Sequence, residues 1–363
     1  MRTFHRVHGL VMLLLLFGAA QAGAQTTDPG SVLVVANANS PQSIALADYY
    51  MGRRAIPAEN RLLLDWNASD TAESCDLPTY NLKIADPIRE RIAQLPGIDY
   101  IVLCRNLPYR ILRSTVTIRG VVLGPNSVAG AAASVDSALS AGRASVARNP
   151  YFGAADAFSS ARYGIYLVTR LDGATWGDAF KLVDRSVMAA PGGVIFFDLD
   201  PEKDTYPVYK VFNDAMGRAL NAVADAGQAA LVDSTSAFAD PAPALAVYVG
   251  WGASDSGFSS TRYANFAFTP GSIAEMGCPT SAASLRSESA STGQINVLIR
   301  NGVTGVKGYL GGTPALASAD PELLMRSYLG GRNLAESFYG ASRFVGGYDV
   351  VIGDPLCRTY VAP

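Results

Sequence analysis

The chain has 363 residues, a formal net charge of −2 and 17% charged residues. Lysine is scarce and arginine is dispersed, so no basic stripe is present of the kind that follows a nucleic-acid backbone. Composition and charge therefore exclude a nucleic-acid-binding protein, and we expect no nucleic-acid partner.

The first 24 residues have the features of a secretory signal peptide. Arg2 and Arg6 precede an apolar run over residues 10–17, and Ala22-Gly23-Ala24 forms a small-x-small cleavage pattern. An uncleaved membrane anchor is the alternative, but the run is shorter than the ~20 residues that span a bilayer. We therefore expect cleavage after Ala24, a periplasmic or extracellular location, and no membrane span in the remaining chain.

Cleavage would remove two arginines and no acidic residue, which changes the formal net charge from −2 to −4. It would also remove His5 and His8, the only histidines in the sequence. Histidine is the usual base beside a serine or cysteine nucleophile and the commonest metal ligand. The mature chain therefore has no Ser-His-Asp triad, no Cys-His dyad and no histidine-ligated metal site.

In the first half of the chain, apolar runs rich in β-branched residues alternate with amphipathic stretches. This alternation predicts an α/β fold with helices around a parallel or mixed sheet. Ser40 and Pro41 combine a helix cap with a proline at the first helical position. The predicted strands cover residues 31–36, 61–65, 100–104 and 163–169. The predicted helices begin at residues 41 and 86 and cover residues 175–189, and residues 129–147 are interpreted as a small-residue helix and loop.

The same alternation restarts near residue 173. The predicted strands of the second half cover residues 193–198, a segment near 230, 244–249, 303–310 and a segment from 350. The predicted helices cover residues 207–226, a segment around 322, and 334–339. A mature chain of 339 residues exceeds what one core usually supports, so we predict subdomains over 25–172 and 173–363. One large sheet with insertions is the alternative.

Four cysteines, Cys75, Cys104, Cys278 and Cys357, are present in a chain expected in an oxidising compartment. At least one disulfide is therefore predicted, although four cysteines allow three connectivities that the sequence cannot separate. The spacing fits no C-x-x-C metal or redox pattern. A catalytic thiol would need an arginine, a lysine or a helix N-terminus to lower its pKa, because no histidine is available.

Several segments, in this order, resemble the gingipain-type cysteine peptidases of the caspase-like fold. In that family one strand ends in Gly-His-Gly, with the catalytic histidine, and a later strand ends in a Cys-Asn-Thr-Gly type element, with the nucleophile. Residues 247–253, which contain Gly250-Trp251-Gly252, resemble the first element, and residues 287–293 resemble the second. On this match Trp251 stands at the histidine position and Ala290 at the cysteine position.

The run over residues 34–41 and the segment Asn106-Leu107-Pro108 resemble a group of uncharacterised secreted bacterial proteins related to the same fold. Members of that group lack the peptidase dyad. The resemblance covers most of residues 31–358. It implies a caspase-like, Rossmann-like three-layer α/β sandwich, with residues 173–363 as the caspase-like subdomain, and it does not imply peptidase activity.

Carboxylates are the second class of candidate. Asp198, Asp200, Glu202 and Asp204 alternate after a predicted strand, which is a pattern that oxygen ligands of Ca²⁺ can follow. The run lacks the glycine and distal glutamate of an EF-hand, so a solvated acidic loop is the favoured interpretation, and we predict no metal and no cofactor. The candidates for a carboxylate hydrolase near predicted strand ends are Asp172, Asp255 and Asp354.

Trp251 lies between two glycines at the carboxyl end of a predicted strand, where open α/β sheets usually bind ligands. The tryptophan either lines a pocket or fills the space of a lost dyad. The residues predicted to line a ligand cleft are Trp251, Asn37, Asn39, Ser40, Arg105, Arg170, Asp172, Asp255, Ser291 and Thr292.

The sequence therefore predicts a secreted α/β protein without proteolytic activity, with a binding or scaffold role. Its expected partner is a small molecule, a peptide or a glycan. The alternatives are a hydrolase that uses Asp172, Asp255 or Asp354, and a thiol enzyme built on Cys278.

Overall fold

The computed structural model describes residues 28–67, 69, 73–111, 147–239, 244–289, 292, 294–310, 318–345 and 349–361. The predicted signal peptide and all but the last residue of the predicted segment 129–147 lie outside these residues. Within the described part of the chain, no helix is long and apolar enough to cross a membrane.

Fourteen strands are described. In chain order they are β1 (Val32–Asn37), β2 (Arg61–Leu64), β3 (Ser74–Cys75), β4 (Tyr100–Cys104), β5 (Arg110–Ile111), β6 (Ala147–Arg148), β7 (Leu167–Leu171), β8 (Val194–Asp198), β9 (Ala230–Asp233), β10 (Leu245–Gly250), β11 (Phe268–Met276), β12 (Gly305–Tyr309), β13 (Phe344–Val345) and β14 (Asp349–Ile352). β3 pairs with β5 and β6 pairs with β13 in two small separate sheets.

The described helices connect these strands. They are Pro41–Arg54, Leu77–Tyr80 continuing through the π-helical segment Asn81–Ala85 into Asp86–Gln94, Ser160–Tyr163, Trp176–Val187, Pro207–Asp225, Ser260–Ala264, Gln294–Arg300, Pro321–Leu329 and Leu334–Ala341. Short 3₁₀ turns cover Pro29–Ser31, Ala58–Asn60, Pro201–Thr205 and Gly252–Ser254. The predicted cap is in place, since the Ser40 side chain accepts a hydrogen bond from the first turn of its helix; Thr175, for which no cap was predicted, forms a capping box with Asp178.

Ten strands form one sheet in the order β2-β1-β4-β7-β14-β12-β11-β10-β8-β9. All neighbouring strands are parallel except β12 and β14, which are antiparallel. The five strands from β2 to β14 in this order therefore run in one direction, and the five from β12 to β9 run in the other. As a result, the carboxyl ends of β1, β4 and β7 lie at one end of the sheet, and those of β8, β10 and β11 lie at the opposite end.

Both faces of the sheet are covered. Successive residues of a strand point to opposite faces, and β1 shows this directly. Val34 belongs to the same core as Leu46 of the helix Pro41–Arg54, whereas Leu33 belongs to the core that contains Ile84. The sheet is therefore the middle layer of three, and the predicted α/β sandwich is confirmed.

The sheet is continuous across the predicted boundary at residue 173. β7 of the first half pairs with β14 of the second half, with Arg170 opposite Ile352. The two subdomains stay a prediction, and one sheet passes through both.

Two strands of the ten-stranded sheet differ from the sequence prediction. The strand predicted over 163–169 is observed at Leu167–Leu171, because Ser160–Tyr163 forms a short helix that ends at Gly164, a residue with a φ of 67°. β11 was not predicted at all. Its sequence contains Pro270, Gly271, Ser272 and Glu275, which interrupt the apolar pattern that marks buried strands.

The predicted disulfide is wrong for this structure, since all four cysteines are free and buried. Each lies on a separate element, and burial is the largest factor raising the pKa of Cys75, of Cys104 and of Cys357 to about 12. Cys75 belongs to the core on one face of the sheet, and Cys104 and Cys357 belong to the core on the other. These three thiols serve as small apolar core residues.

Candidate functional site

The candidate site lies where β10 and β11 end side by side. Trp251 is the first residue after β10, and Cys278 is the second residue after β11. The Gly277 N–H donates a hydrogen bond of 2.9 Å to the Gly250 carbonyl, which continues the pairing of the two strands up to the site. Trp251 and Cys278 are thereby held together at the end of the sheet where β10 and β11 finish.

Trp251 is packed into the protein and is only 1% exposed. Its indole Nε1 donates a hydrogen bond of 2.8 Å to Asn213 Oδ1, and the edges of Tyr209 and Phe212 meet its ring. A Cβ at Gly277 would lie 2.8 Å from Trp251 Cε3, so only glycine fits there. Trp251 therefore acts mainly as a plug at the end of β10.

A buried glutamine connects the thiol to the turn after Trp251. Gln294 Nε2 donates to Cys278 Sγ at 2.8 Å, and Gln294 Oε1 accepts a hydrogen bond of 2.7 Å from the Ala253 N–H. Gln294 is fully buried and Cys278 is 3% exposed. The sulfur is therefore held in a fixed position as the acceptor of the Gln294 hydrogen bond.

One cavity of about 240 Å³ opens beside these residues. Its walls include Lys203, Tyr209, Trp251, Ser254, Cys278 and Tyr309. The remaining surface of Trp251 thus lines a pocket, although most of the side chain is packed in the core. The sequence left open whether Trp251 lines a pocket or fills space, and in the structure one part of the side chain does each.

Tyr309, which lines this cavity, is hydrogen-bonded to a buried carboxyl group. The Tyr309 hydroxyl donates to Glu275 Oε1, which also accepts a hydrogen bond of 3.0 Å from the Ala319 N–H. Burial raises the pKa of Glu275 to about 7, although the charge of Lys307 acts in the opposite direction. Tyr309 is therefore held by an acid that titrates near neutral pH.

A group of acidic residues follows β8 and β10. Asp198 is fully buried, and burial together with repulsion from Asp255 and Asp233 raises its pKa to about 8. Burial likewise raises the pKa of Asp255 to about 6. Asp200 instead accepts hydrogen bonds from Ser256 and caps the turn Pro201–Thr205. In the described part of the chain, no group of three or more His, Cys, Asp or Glu residues is arranged to hold a metal ion.

The sequence-predicted candidate Asp172 lies in a buried ion-pair cluster at the opposite end of the sheet. Arg286 Nη1 is 2.7 Å from it, Arg170 Nη2 is 2.9 Å away and Arg105 Nη1 is 3.5 Å away. Burial alone would raise the pKa of Asp172, but Arg286 and the other arginines outweigh it and lower the pKa to about 2. Asp172 is therefore ionised and paired with arginines, which makes it a poor group for proton transfer.

Asp354 is engaged in the same way. It accepts hydrogen bonds from the Tyr50 hydroxyl at 2.6 Å, Arg54 Nε at 2.6 Å, Ser186 Oγ at 2.8 Å and the Leu356 N–H at 2.9 Å. These partners lie on two helices and the C-terminal turn. The geometry favours a structural role for this carboxylate.

The asparagine-rich loop after β1 is also hydrogen-bonded internally. Asn37 Nδ2 donates to Asn106 Oδ1 at 2.5 Å, and Asn39 Nδ2 donates to Asp65 Oδ1 at 2.9 Å. Ser40 caps the helix that follows. These side chains connect loops at the carboxyl ends of neighbouring strands.

The predicted cleft residues therefore do not lie together. Trp251 and Asp255 follow β10 at one end of the sheet. The residues at the opposite end are Asn37, Asn39, Ser40, Arg105, Arg170 and Asp172. Thr292 lies on a loop, where its carbonyl accepts a hydrogen bond of 2.7 Å from the Ser284 N–H, and Ser291 and Ala290 lie outside the described residues.

The assignment of Ala290 to the cysteine position stays a prediction, because Ala290 lies outside the described residues. Ser287, the first residue of the segment matched to that element, follows no strand, whereas β11 is the strand beside β10 and Cys278 follows it. The thiol that faces Trp251 is therefore Cys278. Sequence reasoning also missed Lys203, Asn213 and Gln294, because no motif marks them.

The fold is similar to that of a solved structure. A complex of the Porphyromonas gingivalis RgpB pro- and mature domains matches with a TM-score of 0.50 and 10% identity, over 92% of this chain and 80% of that one. A structure described as a protease matches with a TM-score of 0.45 and 10% identity, over 94% of this chain and 81% of that chain. No protein-family model and no curated protein matches the sequence.

Proposed function

We propose that this chain is a secreted protein with a gingipain-like fold that binds a small ligand in the cavity beside Trp251 and does not cleave peptides. The observation that carries the proposal is the position of Trp251 itself. Its indole is packed at the end of β10 and is hydrogen-bonded to Asn213, yet it leaves a cavity of about 240 Å³ against Cys278. Secretion rests on the signal-peptide features of residues 1–24.

The chemistry of peptide cleavage supports the non-catalytic half of the proposal. Attack on an amide needs a thiolate, and the leaving amine needs a general acid. The indole nitrogen of Trp251 does neither, and the chain has no histidine beyond His5 and His8. A cysteine without its imidazole partner is therefore a poor candidate for a peptidase.

The cavity supports the binding half. Ligand sites in α/β proteins occur at the carboxyl ends of strands and combine apolar walls with a few polar groups. Here Trp251 and Tyr209 supply aromatic surface, and Lys203 and Ser254 supply polar groups. A pocket of this kind at the end of a rigid sheet suits a small molecule.

Thiol chemistry at Cys278 is the second candidate, and one observation favours it. Cys278 lines the cavity, and its sulfur accepts a hydrogen bond from Gln294. An acyl transfer to Sγ would release the leaving group of an activated ester. p-Nitrophenyl acetate tests this directly: a burst of p-nitrophenol from the wild type that is absent in Cys278→Ser would support the thiol candidate.

The carboxylate alternative has weaker support. Asp172 and Asp354 are held by several donors, as described above, and neither these two residues nor Asp255 is part of the cavity wall described here. A hydrolase that used one of them would need a different pocket.

A thermal-shift panel tests binding. The panel contains N-acetyl amino acids, monosaccharides and short carboxylic acids, applied to the wild type, to Ser254→Phe, which fills the cavity, and to Ser234→Phe, a matched exchange at an exposed serine. The proposal predicts that at least one compound raises the unfolding temperature of the wild type and of Ser234→Phe but not of Ser254→Phe. The same shift in all three proteins, or in none, would contradict it.

A further inference from the structure

Among its described lining residues, the cavity beside Trp251 carries positive charge and no negative charge. Lys203 is the only Lys, Arg, Asp or Glu among the described lining residues. The other polar groups there include the hydroxyls of Ser254 and Ser318, which can both donate hydrogen bonds. The cavity therefore offers one cation and additional donors to whatever enters it.

Lys203 is held at the cavity by the turn Pro201–Thr205. Its Nζ lies 3.6 Å from Asp200 Oδ2 and 5.7 Å from the centre of the Trp251 ring, and its side chain is 19% exposed. An ammonium group has three donors, and Asp200 already accepts from Ser256 and Glu202. The pair is therefore loose, and it leaves Lys203 able to meet a ligand acceptor.

Size and charge limit the ligand. A cavity of about 240 Å³ has the volume of about eight liquid water molecules at ~30 Å³ each. The Asp200 carboxylate lies 3.6 Å from Lys203 Nζ, and the charge of Lys203 also acts on Asp255, but neither acid is part of the described lining. A dianion such as phosphate would place a second negative charge near them without a second cation, whereas a single carboxylate is matched by Lys203.

We propose that the ligand of this cavity is a small organic monocarboxylate, whose carboxylate pairs with Lys203 and whose apolar body packs against Trp251 and Tyr209. This inference rests on the proposed binding function and names its ligand class. The pairing shields Lys203 from bulk water. It also places the flat or branched part of the ligand against the aromatic side chains, and removing water from that apolar surface stabilises the complex.

Three compounds of one shape test the charge preference: benzoate, benzamide and benzylamine. Their binding is measured by titration calorimetry to the wild type, Lys203→Met, Lys203→Arg and, as the matched control, Lys210→Met, whose lysine is exposed and paired with Asp214. We expect benzoate to bind about tenfold or more tightly than benzamide in the wild type and in Lys210→Met. That advantage should disappear in Lys203→Met and be largely retained in Lys203→Arg.

Equal or tighter binding of benzamide or benzylamine to the wild type would overturn the charge preference. So would an unchanged benzoate advantage in Lys203→Met. The thermal-shift panel separates this failure from that of the binding function. If a neutral compound binds the wild type but not Ser254→Phe while benzoate does not bind, only the monocarboxylate inference fails. If no compound binds, both fail.

Discussion

The indole Nε1 of Trp251 donates a hydrogen bond of 2.8 Å to Oδ1 of Asn213. Asn213 lies on the helix Pro207–Asp225, and its Nδ2 also donates to the Asp200 carbonyl at 2.7 Å. One asparagine thus joins the segment after β10 to the turn after β8. Because the indole N–H and the Asn213 amide group both have acceptors, the polar edge of the tryptophan is satisfied within the core, and it is the ring that lines the cavity.

Replacement of Trp251 by alanine should therefore cost stability first. Loss of a buried tryptophan is expected to lower the free energy of unfolding by about 3–5 kcal/mol. Chemical denaturation followed by circular dichroism measures the loss, with the half-buried Trp176→Ala as the control that should lose less. A loss below about 1 kcal/mol in Trp251→Ala would show that the side chain is not the plug described here.

Asp172→Asn should destabilise the opposite end of the sheet. The substitution leaves the buried Arg105 and Arg170 and the partly buried Arg286 without their carboxylate, and breaking a buried ion pair costs about 3–5 kcal/mol. The control is Asp156→Asn, whose exposed pair with Arg162 contributes about 0–1 kcal/mol. Equal unfolding free energies for the two variants would refute the structural role of Asp172.

The stability of the protein should fall as pH rises from mildly acidic to mildly basic values, in part through Asp198. Its pKa is raised from 3.8 to about 8 in the fold, first by burial, so between these values the folded state keeps a proton that the unfolded state releases. The folded state then binds more protons, and the free energy of unfolding decreases with increasing pH.

Asp198→Asn imitates the protonated carboxyl and should flatten this slope between about pH 5 and pH 8. The exposed Asp214→Asn is the control and should keep the wild-type slope. Urea denaturation at several pH values measures it. If Asp198→Asn and the wild type show the same slope, Asp198 does not hold the proton in the folded state.

The four thiols should differ in reactivity. Cys278 lines the cavity, whereas burial raises the pKa of Cys75, Cys104 and Cys357 to about 12. Iodoacetamide should label one thiol in the native wild type and none in native Cys278→Ser. After the wild type is unfolded without reductant, all four of its thiols should react. Fewer than four labels in the unfolded wild type would reveal a disulfide and contradict the free cysteines.

Strand prediction worked where burial on both faces makes a strand apolar throughout. β1, β4, β8 and β10 are such runs, and their positions were predicted to within one or two residues. β11 escaped because Gly271, Ser272 and Glu275 are polar or small. Two of them have a local reason, since the Gly271 N–H donates to Thr304 and Glu275 accepts from Tyr309. A sequence shows such residues as breaks in the pattern and does not show their partners.

The site was predicted only in part for a topological reason. Trp251 was found because glycines flank it at a strand end, but the cleft residues from the first half were assigned to the same place. Because β12 and β14 are antiparallel, the carboxyl ends of β1, β4 and β7 lie at the end of the sheet opposite to those of β8, β10 and β11. The sequence prediction also lacked β11, so it did not place Cys278 beside Trp251.

Peptide turnover tests the central claim most directly. The wild-type protein is incubated with a library of peptides of mixed sequence, and new termini are counted by mass spectrometry, with Cys278→Ser as the matched sample. The account predicts no new termini above those in the Cys278→Ser sample, because the described residues that line the cavity with Cys278 include no histidine and the Trp251 indole is not a general acid. Sequence-specific cleavage by the wild type that disappears in Cys278→Ser would contradict the account and establish the protein as a peptidase.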